Sequence, residues 1–242
     1  MKIFVADTYE ELSRQAAEDA ITLMRSIKQP LVCPASGDTP AGLYKYFTTK
    51  KELAVSHWSF VGLDEWVGMD GNDEGSCLFH LKNQLFGPLH ISQEKICFFN
   101  GRANDLDKEC DNIEKFIQQH GTIDLAILGI GLNGHIGMNE PGTSPALRSH
   151  VTELDPLTKK TAQKYFKEQT EITTGITLGL ATLMEAKHIF LLISGAHKAN
   201  IVKRILEEEA SAQLPGTLLR SHPGLTIYLD AGAAALIQPR TA

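Results

Sequence analysis

Short, mainly apolar runs alternate along the chain with longer segments whose apolar residues recur every three or four positions. The short runs predict buried strands, and the longer periodic segments predict amphipathic helices. The predicted strands span residues 2–5, 31–35, 59–63, 96–99, 125–128, 188–193 and 225–229. The predicted helices are one capped by Thr8 and ending near residue 27, one with Pro40 at its first position, and those over residues 76–85, 106–120, 158–167, 178–186 and 198–208.

This alternation predicts an α/β fold: a single doubly wound, Rossmann-like domain over residues 1–242, with a mostly parallel sheet flanked by helices. The pattern contains no internal repeat and no linker-like tract. Open sheets of this kind bind their ligands beyond the carboxyl ends of the strands. Side chains that bind a ligand or catalyse a reaction are therefore expected in the loops that follow the strands.

Composition narrows the function classes. The chain is 43% hydrophobic and 21% charged, which is typical of a soluble globular protein. Its net charge of −6 gives no basic footprint for nucleic acid or an anionic membrane. No apolar run approaches the length of a membrane span, and the first residues lack a signal-peptide core. The four cysteines are scattered, which favours reduced thiols in a cytoplasmic protein and disfavours structural zinc.

The loop over residues 129–142 is the most informative, because it follows the predicted strand 125–128 and carries His135 and Glu140. Its glycines let the backbone approach a ligand closely or adopt positive φ. An imidazole and a carboxylate in this position are suited to proton transfer. A glycine-rich connection with a solvated histidine and glutamate is the alternative that this loop alone leaves open.

Two other loops indicate an anion site. Ser36, Gly37 and Thr39 place hydroxyls and free backbone N–H groups at the start of a predicted helix, where anions bind. Lys198 also begins a predicted helix, where a cation opposes the helix dipole unless a bound anion relieves the conflict. A simple capped helix start and an exposed lysine remain the alternatives.

Two adjacent carboxylates, Asp64 and Glu65, follow the predicted strand 59–63. A partly desolvated carboxylate at such a point can serve as a general base. Helix capping or a solvated charge is the alternative on local evidence.

Several of these segments resemble the glucosamine-6-phosphate deaminase (isomerase) family. The resemblance is carried by Leu-Asp-Glu-Trp-Val-Gly at 63–68 and by the loop at 129–142. Ser-Gly-x-Thr-Pro at 36–40, Gly-x-x-Lys-Ala at 195–199 and His-Pro at 222–223 followed by Asp230 also match, in the expected order. The related 6-phosphogluconolactonases share the glycine-histidine core but continue differently, so the resemblance favours the deaminase branch.

The resemblance implies an aldose–ketose isomerisation coupled to loss of ammonia, with no metal and no cofactor. Glucosamine 6-phosphate and water would give fructose 6-phosphate and ammonia. By position, Asp64 would move a proton between C2 and C1 of the opened sugar, His135 would help open the ring, and Glu140 would orient His135. The residues implied to hold the 6-phosphate are Ser36, Gly37, Thr39, Lys198 and Lys164. The implied partner is a small amino-sugar phosphate, bound by a monomer or a small homo-oligomer.

The chain departs from better-known members of that family at several positions. Asn133 stands where many carry an aspartate; its carbonyl can accept from an imidazole N–H but cannot balance an imidazolium. Lys164 stands where an arginine is frequent and lacks the bidentate fork. Asp38 adds a negative charge to the phosphate loop, so its side chain is expected to point away from the ligand. His150 and Thr152 replace basic residues of the allosteric members, which predicts a short type without activation by an N-acetylated sugar phosphate.

Three other functions stay open at this point. Galactosamine 6-phosphate differs from the glucosamine epimer in one hydroxyl direction, and no residue announces which is bound. A lactonase is disfavoured by Asn139 and Glu140. A non-catalytic sugar-phosphate sensor is disfavoured because Asp64 and His135 are retained and no helix-turn-helix fits before residue 30.

Overall fold

The computed structural model describes residues 1–50 and 55–237. Its strands are β1 (Lys2–Ala6), β2 (Leu31–Pro34), β3 (Ser59–Val61), β4 (Asp64–Trp66), β5 (Ile96–Cys97), β6 (Leu125–Leu128), β7 (His150–Glu153), β8 (Thr174–Thr177), β9 (His188–Ile193) and β10 (Leu225–Asp230). Its α-helices are α1 (Tyr9–Met24), α2 (Asp38–Thr49), α3 (Cys77–Leu81), α4 (Leu106–Gln119), α5 (Pro156–Ala162), α6 (Leu180–Met184) and α7 (Ala199–Glu207).

Seven strands form one parallel sheet in the order β1-β10-β9-β6-β2-β3-β5. Successive residues of a strand face opposite sides, so Val32 packs with α1 and α2, whereas Cys33 packs with α4 and α7. Both faces are therefore buried under helices, which explains why the strands are continuously apolar. The predicted α/β fold with a mostly parallel sheet is confirmed.

The strand order brings the chemistry-bearing loops together. β9, β6, β2 and β3 are consecutive neighbours, and all run in the same direction. Their carboxyl ends share one edge of the sheet, where the loops after β2, β6 and β9 meet. This edge holds the loop that carries Ser36, Gly37 and Thr39, the glycine-rich loop and Lys198.

A second sheet was not predicted. It is antiparallel, in the order β4-β8-β7. Thr177 of the central strand β8 pairs with Asp64 of β4 on one side and with His150 of β7 on the other. The sequence of β4 is Asp-Glu-Trp, which lacks the apolar run that signals a strand. Asp64 therefore lies within a strand of this small sheet and not in a loop.

Several predicted helix boundaries were wrong. α2 begins at Asp38 with Gly37 as its N-cap, so Pro40 is its third residue and not its first. Proline is tolerated there because N–H groups of the first turn have no helical partner. α1 is capped by Thr8 as predicted, with Oγ1 accepting from Glu11 N at 3.2 Å, but it ends at Met24.

The later helices are shorter than their apolar patterns. Over 158–167, α5 starts earlier, after its cap Asp155, and gives way to a 3-10 turn at Gln163–Tyr165. Over 76–85, Ser76 caps α3, which continues as a π-helical segment at Lys82–Phe86. α6 begins after Gly179, and α7 begins after the 3-10 turn Ala196–Lys198. Within the described ranges, no helix has the length and apolar character that crossing a membrane requires.

Candidate active site

A cavity of about 640 Å³ opens at the edge where the loops after β2, β6 and β9 meet. Its wall includes seven of the nine residues singled out from the sequence: Ser36, Gly37, Thr39, Asp64, His135, Lys164 and Lys198. Asn133 and Glu140 lie behind His135. The expected convergence of three loops on one site is therefore present in the structure.

One end of the cavity is built on the N-terminus of α2. Gly37 caps this helix with a φ of 108° and carries no side chain to occupy the N–H groups of the first turn. A Cβ at this position would lie 2.9 Å from Tyr165 Oη. Tyr9 Oη holds the first turn of α2 in place: it donates to the carbonyls of Asp38 and Thr39 and accepts from Gly42 N. The free N–H groups and the helix dipole suit an anion here.

Two lysines face the same end of the cavity. Lys198, the N-cap residue of α7, donates from Nζ to the carbonyl of Ile130 at 2.6 Å. Burial, together with the charge of Lys164, lowers the pKa of Lys198 to about 8. A dianionic phosphate would offset both effects, because an opposite charge favours the protonated amine.

Lys164 is already paired. Its Nζ donates to Asp38 Oδ2 at 2.5 Å and lies 4.8 Å from the centre of the Tyr165 ring. The carboxylate of Asp38 therefore lies beside one of the residues implied to bind phosphate, and its expected orientation away from the ligand stays a prediction. Both side chains are more than half exposed, so solvent screens the pair.

Asp64 lines the same cavity. Burial raises the pKa of its carboxyl to about 7; the Cys77 thiol and the charge of His135 oppose this rise, and the charge of Glu65 adds to it. A carboxyl with a pKa near neutral is the kind that gives and takes protons at working pH.

Glu65, the next residue of the strand, points the opposite way because side chains alternate along a strand. It is fully buried, and both of its oxygens are occupied by donors. Oε1 accepts from the backbone N–H groups of Trp66 and Cys77, and Oε2 accepts from Ser76 Oγ and from Leu78 N. The capping alternative is thus realised by Glu65, which caps α3, whereas Asp64 faces the cavity and stays the candidate general base.

His135 lies flat against the backbone of the glycine-rich loop. A Cβ added to Gly131 would fall 2.4 to 2.6 Å from three ring atoms of His135. The imidazole can occupy this position only because residue 131 has no side chain. Its Nδ1 lies 3.3 Å from Glu140 Oε2, and the side chain is 19% exposed toward the cavity.

Asn133 contacts both His135 and Glu140, but not through the imidazole ring as the sequence indicated. Its Oδ1 accepts from the backbone N–H of His135 at 3.2 Å, so the expected bond from the imidazole ring to this carbonyl is absent from the geometry. Its Nδ2 donates to Glu140 Oε2 at 2.9 Å. Burial alone would raise the pKa of Glu140, but bonds from His135, Thr158 and Asn133 hold it below its usual value. Asn133 therefore orients the carboxylate, and the carboxylate faces the ring.

Three contributors to the site were missed in the sequence. Thr158 Oγ1 lies 3.0 Å from His135 Nδ1, Gly131 makes room for the ring, and the Cys77 thiol contacts Asp64 and Ser36. Thr158 reaches His135 across 23 residues of chain, a contact that no local pattern signals. Gly131 could have been found, since a glycine four residues before a candidate catalytic histidine invites close approach.

The part of the chain that the structure describes contains no cluster of side chains suited to bind a metal ion. No group of three or more histidine, cysteine, aspartate or glutamate side chains is arranged there to hold an ion.

Comparison with known proteins decides the family. The family model described as glucosamine-6-phosphate isomerases/6-phosphogluconolactonase matches residues 6–228. The chain belongs to this family. A glucosamine-6-phosphate deaminase of Thermoanaerobacter pseudethanolicus is 36% identical over 98% of this chain and 95% of its own length. One of Clostridium tetani is 37% identical over 98% of this chain and its full length.

Solved structures agree with the sequence relatives. A monomeric glucosamine-6-phosphate deaminase has a TM-score of 0.94 and 34% identity, covering 98% of this chain and all of that one. A 6-phosphogluconolactonase of Trypanosoma brucei has a TM-score of 0.75 at 19% identity, covering 98% of each chain. The second likeness concerns the fold alone. The three relatives above 30% identity described here are thus deaminases.

Proposed function

We propose that the protein converts glucosamine 6-phosphate and water into fructose 6-phosphate and ammonia. The observation that carries the proposal is the distribution of charge in the cavity. The carboxyl of Asp64, whose pKa is about 7, and the imidazole of His135 line the same cavity as the free N–H groups at the start of α2 and the half-buried Lys198. A phosphorylated sugar needs both kinds of group, one to bind it and the other to move protons.

The proposed proton transfers use side chains of this chain. His135 takes the proton from the anomeric hydroxyl and returns one to the ring oxygen, which opens the pyranose. Asp64, in its ionised form, takes the C2 proton and delivers it to C1, while the amino nitrogen gives up a proton and the C1 oxygen gains one, so that C1 becomes an alcohol and C2 an imine. Water then adds to C2, the C2–N bond breaks, and ammonia and the C2 ketone are released. Each such group contributes roughly 10²–10⁴ in rate.

The proposed phosphate site is the N-terminus of α2 with Lys198 and Lys164. Ser36, Gly37 and Thr39 would supply hydroxyl and backbone donors. Anchoring the phosphate holds the far end of the sugar, so the reacting carbons are presented to Asp64 and His135 without a further loss of freedom.

The protein acts as a monomer in this proposal, as the solved relative is described, and follows a hyperbolic substrate curve. A sigmoidal curve that an N-acetylated sugar phosphate shifts would contradict the non-allosteric assignment.

The test is to incubate the purified protein separately with glucosamine 6-phosphate, galactosamine 6-phosphate and 6-phosphogluconolactone. We expect ammonia and fructose 6-phosphate in equal amounts from the first. Faster ammonia release from the galactosamine epimer would assign the other substrate, and acid release from the lactone alone would assign the lactonase branch. Absence of ammonia from both amino sugars would refute the proposal.

A further inference from the structure

Thr158 is the residue of α5 that touches the candidate catalytic histidine. It is buried, and its Oγ1 lies 3.0 Å from His135 Nδ1, closer than Glu140 Oε2 at 3.3 Å. The same hydroxyl contacts Glu140, where it helps to hold the pKa of that carboxyl below its usual value. One hydroxyl therefore faces both the imidazole and the carboxylate behind it.

The chemistry of the three groups fixes the direction of the hydrogen bonds. An ionised carboxylate is only an acceptor, so the Thr158 hydroxyl donates its single proton to Glu140 and presents only lone pairs to His135 Nδ1. Nδ1 must therefore carry the proton and donate it. A distance of 3.3 Å exceeds the usual range for an N–H···O bond, whereas 3.0 Å lies within it. The Thr158 oxygen is thus the nearer acceptor, and its own proton is free to be donated to Glu140.

We propose that Thr158 is a positioning residue that selects the working tautomer of His135. Its hydroxyl accepts from Nδ1–H and donates to Glu140, which keeps Nε2 unprotonated. His135 lines the cavity, so Nε2 is the nitrogen left to exchange protons with the sugar. The ring is held from two sides, since the backbone of Gly131 lies against it and the hydroxyl sets its proton.

The catalytic part of this inference rests on the proposed ring-opening role of His135. The tautomer part does not, because it can be measured without substrate. The two can therefore fail separately: a protein that releases no ammonia refutes the proposed function, and the tautomer of His135 still tests Thr158.

The matched variants are Thr158→Val, which keeps the shape and removes the hydroxyl, and Thr158→Ser, which keeps the hydroxyl and removes the methyl. In the full-length protein labelled with 15N-histidine, Nδ1 and Nε2 shifts report the tautomer at a pH where the ring is neutral. The His135 signals are assigned by their loss in His135→Gln. We expect Nδ1–H in the wild type and in Thr158→Ser, and a mixture of tautomers in Thr158→Val.

Kinetics add a second measurement. We expect Thr158→Val to lower kcat about tenfold with KM within about twofold, since the lost bond serves a charged pair and not substrate binding. Thr158→Ser should recover most of kcat. Thr161→Val, which removes a hydroxyl bonded to carbonyls of the same helix, should leave the His135 tautomer unchanged.

Three results would overturn the proposal. One is an unchanged Nδ1–H tautomer in a folded Thr158→Val protein. Another is a kcat loss in Thr158→Ser as large as in Thr158→Val, which would assign the effect to the methyl group. The third is a loss confined to KM. If Thr158→Val does not fold, Thr158→Ser with the wild-type tautomer and kcat supports the proposal, and a mixed tautomer in it contradicts the proposal.

Discussion

Two groups of charged residues at the cavity hold their charges in opposite ways: the proposed anion end, around Asp38 and Lys164, and the proposed proton-transfer end, around Asp64 and Glu140. At the anion end, Asp38 and Lys164 form an ion pair whose side chains are more than half exposed. At the proton-transfer end, Asp64 and Glu140 are buried, and burial is the largest influence on the pKa of each. Water screens the first pair and leaves the second group to interact strongly.

This difference teaches where the protein tolerates change. Charges that solvent screens affect binding modestly, whereas desolvated charges alter both stability and the availability of protons. Asp64 and Glu65 show the point within one strand. Glu65 has donors on both oxygens, whereas Asp64 stays a desolvated acid that faces the cavity.

The largest effect is expected at Asp64. Asp64→Asn should lower kcat by roughly 10²–10⁴, because the amide cannot accept the C2 proton. It should also stabilise the fold. The pKa of Asp64 is about 7 in the folded protein, so between pH 4 and 7 this carboxyl binds more protons in the folded state than in the unfolded state, and its contribution to wild-type stability falls as pH rises. We expect the variant to be more stable at pH 8 by roughly 2 to 4 kcal/mol, with little difference at pH 4.

Urea unfolding at the two pH values measures this gain, and Glu65→Gln is its matched control. An amide at position 65 would place its N–H donors against the donors that now bind the carboxylate. The free energy of unfolding of Glu65→Gln should therefore be about 1–3 kcal/mol lower than that of the wild type. A folded Asp64→Asn protein that is less stable than the wild type at pH 8 would contradict the contrast between the two carboxylates.

The next largest effect is expected at Gly131. Its φ is not positive, so alanine fits the backbone, but the added Cβ would displace the His135 ring. We expect Gly131→Ala to lower kcat about 10²-fold, the usual scale for a catalytic group misplaced by an ångström. Gly129→Ala is the control in the same loop, since a Cβ there has open space. Steady-state kinetics should show a clearly larger loss at 131, and equal losses would remove the steric argument.

The same contrast explains how much of the molecule could be predicted from sequence. The anion end depends on local features, namely a strand, a glycine and a helix start, so Ser36, Gly37 and Thr39 could be placed from their order alone. The proton-transfer end depends on contacts between distant segments. Asp64 lies in a strand whose partner is β8, and His135 is contacted by Thr158 from α5. Hydrophobic periodicity carries no information on either contact.

At the anion end, the larger effect is expected at Lys198. Lys198→Met should raise KM at least about tenfold, because the proposed contact between this half-buried cation and the phosphate is lost. The pKa of Lys198 is about 8 in the free protein, so the charged amine is present below this value and lost above it. Wild-type kcat/KM should therefore fall above about pH 8 through KM, and this fall should be absent from the variant. Lys203→Met, which removes an exposed lysine of α7, should leave KM unchanged.

The smallest effect is expected at Asp38, and it has the opposite sign. Asp38 holds Lys164 in an exposed ion pair, and such pairs contribute up to about 1 kcal/mol. Asp38→Asn should release the ammonium to the phosphate and lower KM up to about fivefold, by an amount that shrinks as salt rises. In a Lys164→Met background, the same substitution should have no effect on KM, because the partner it releases is gone. A gain of equal size in that background would place the influence of Asp38 directly on the ligand, through repulsion and not through Lys164. The anion end would then differ from the proton-transfer end in exposure alone, since its charges would act on the substrate singly and not as a pair.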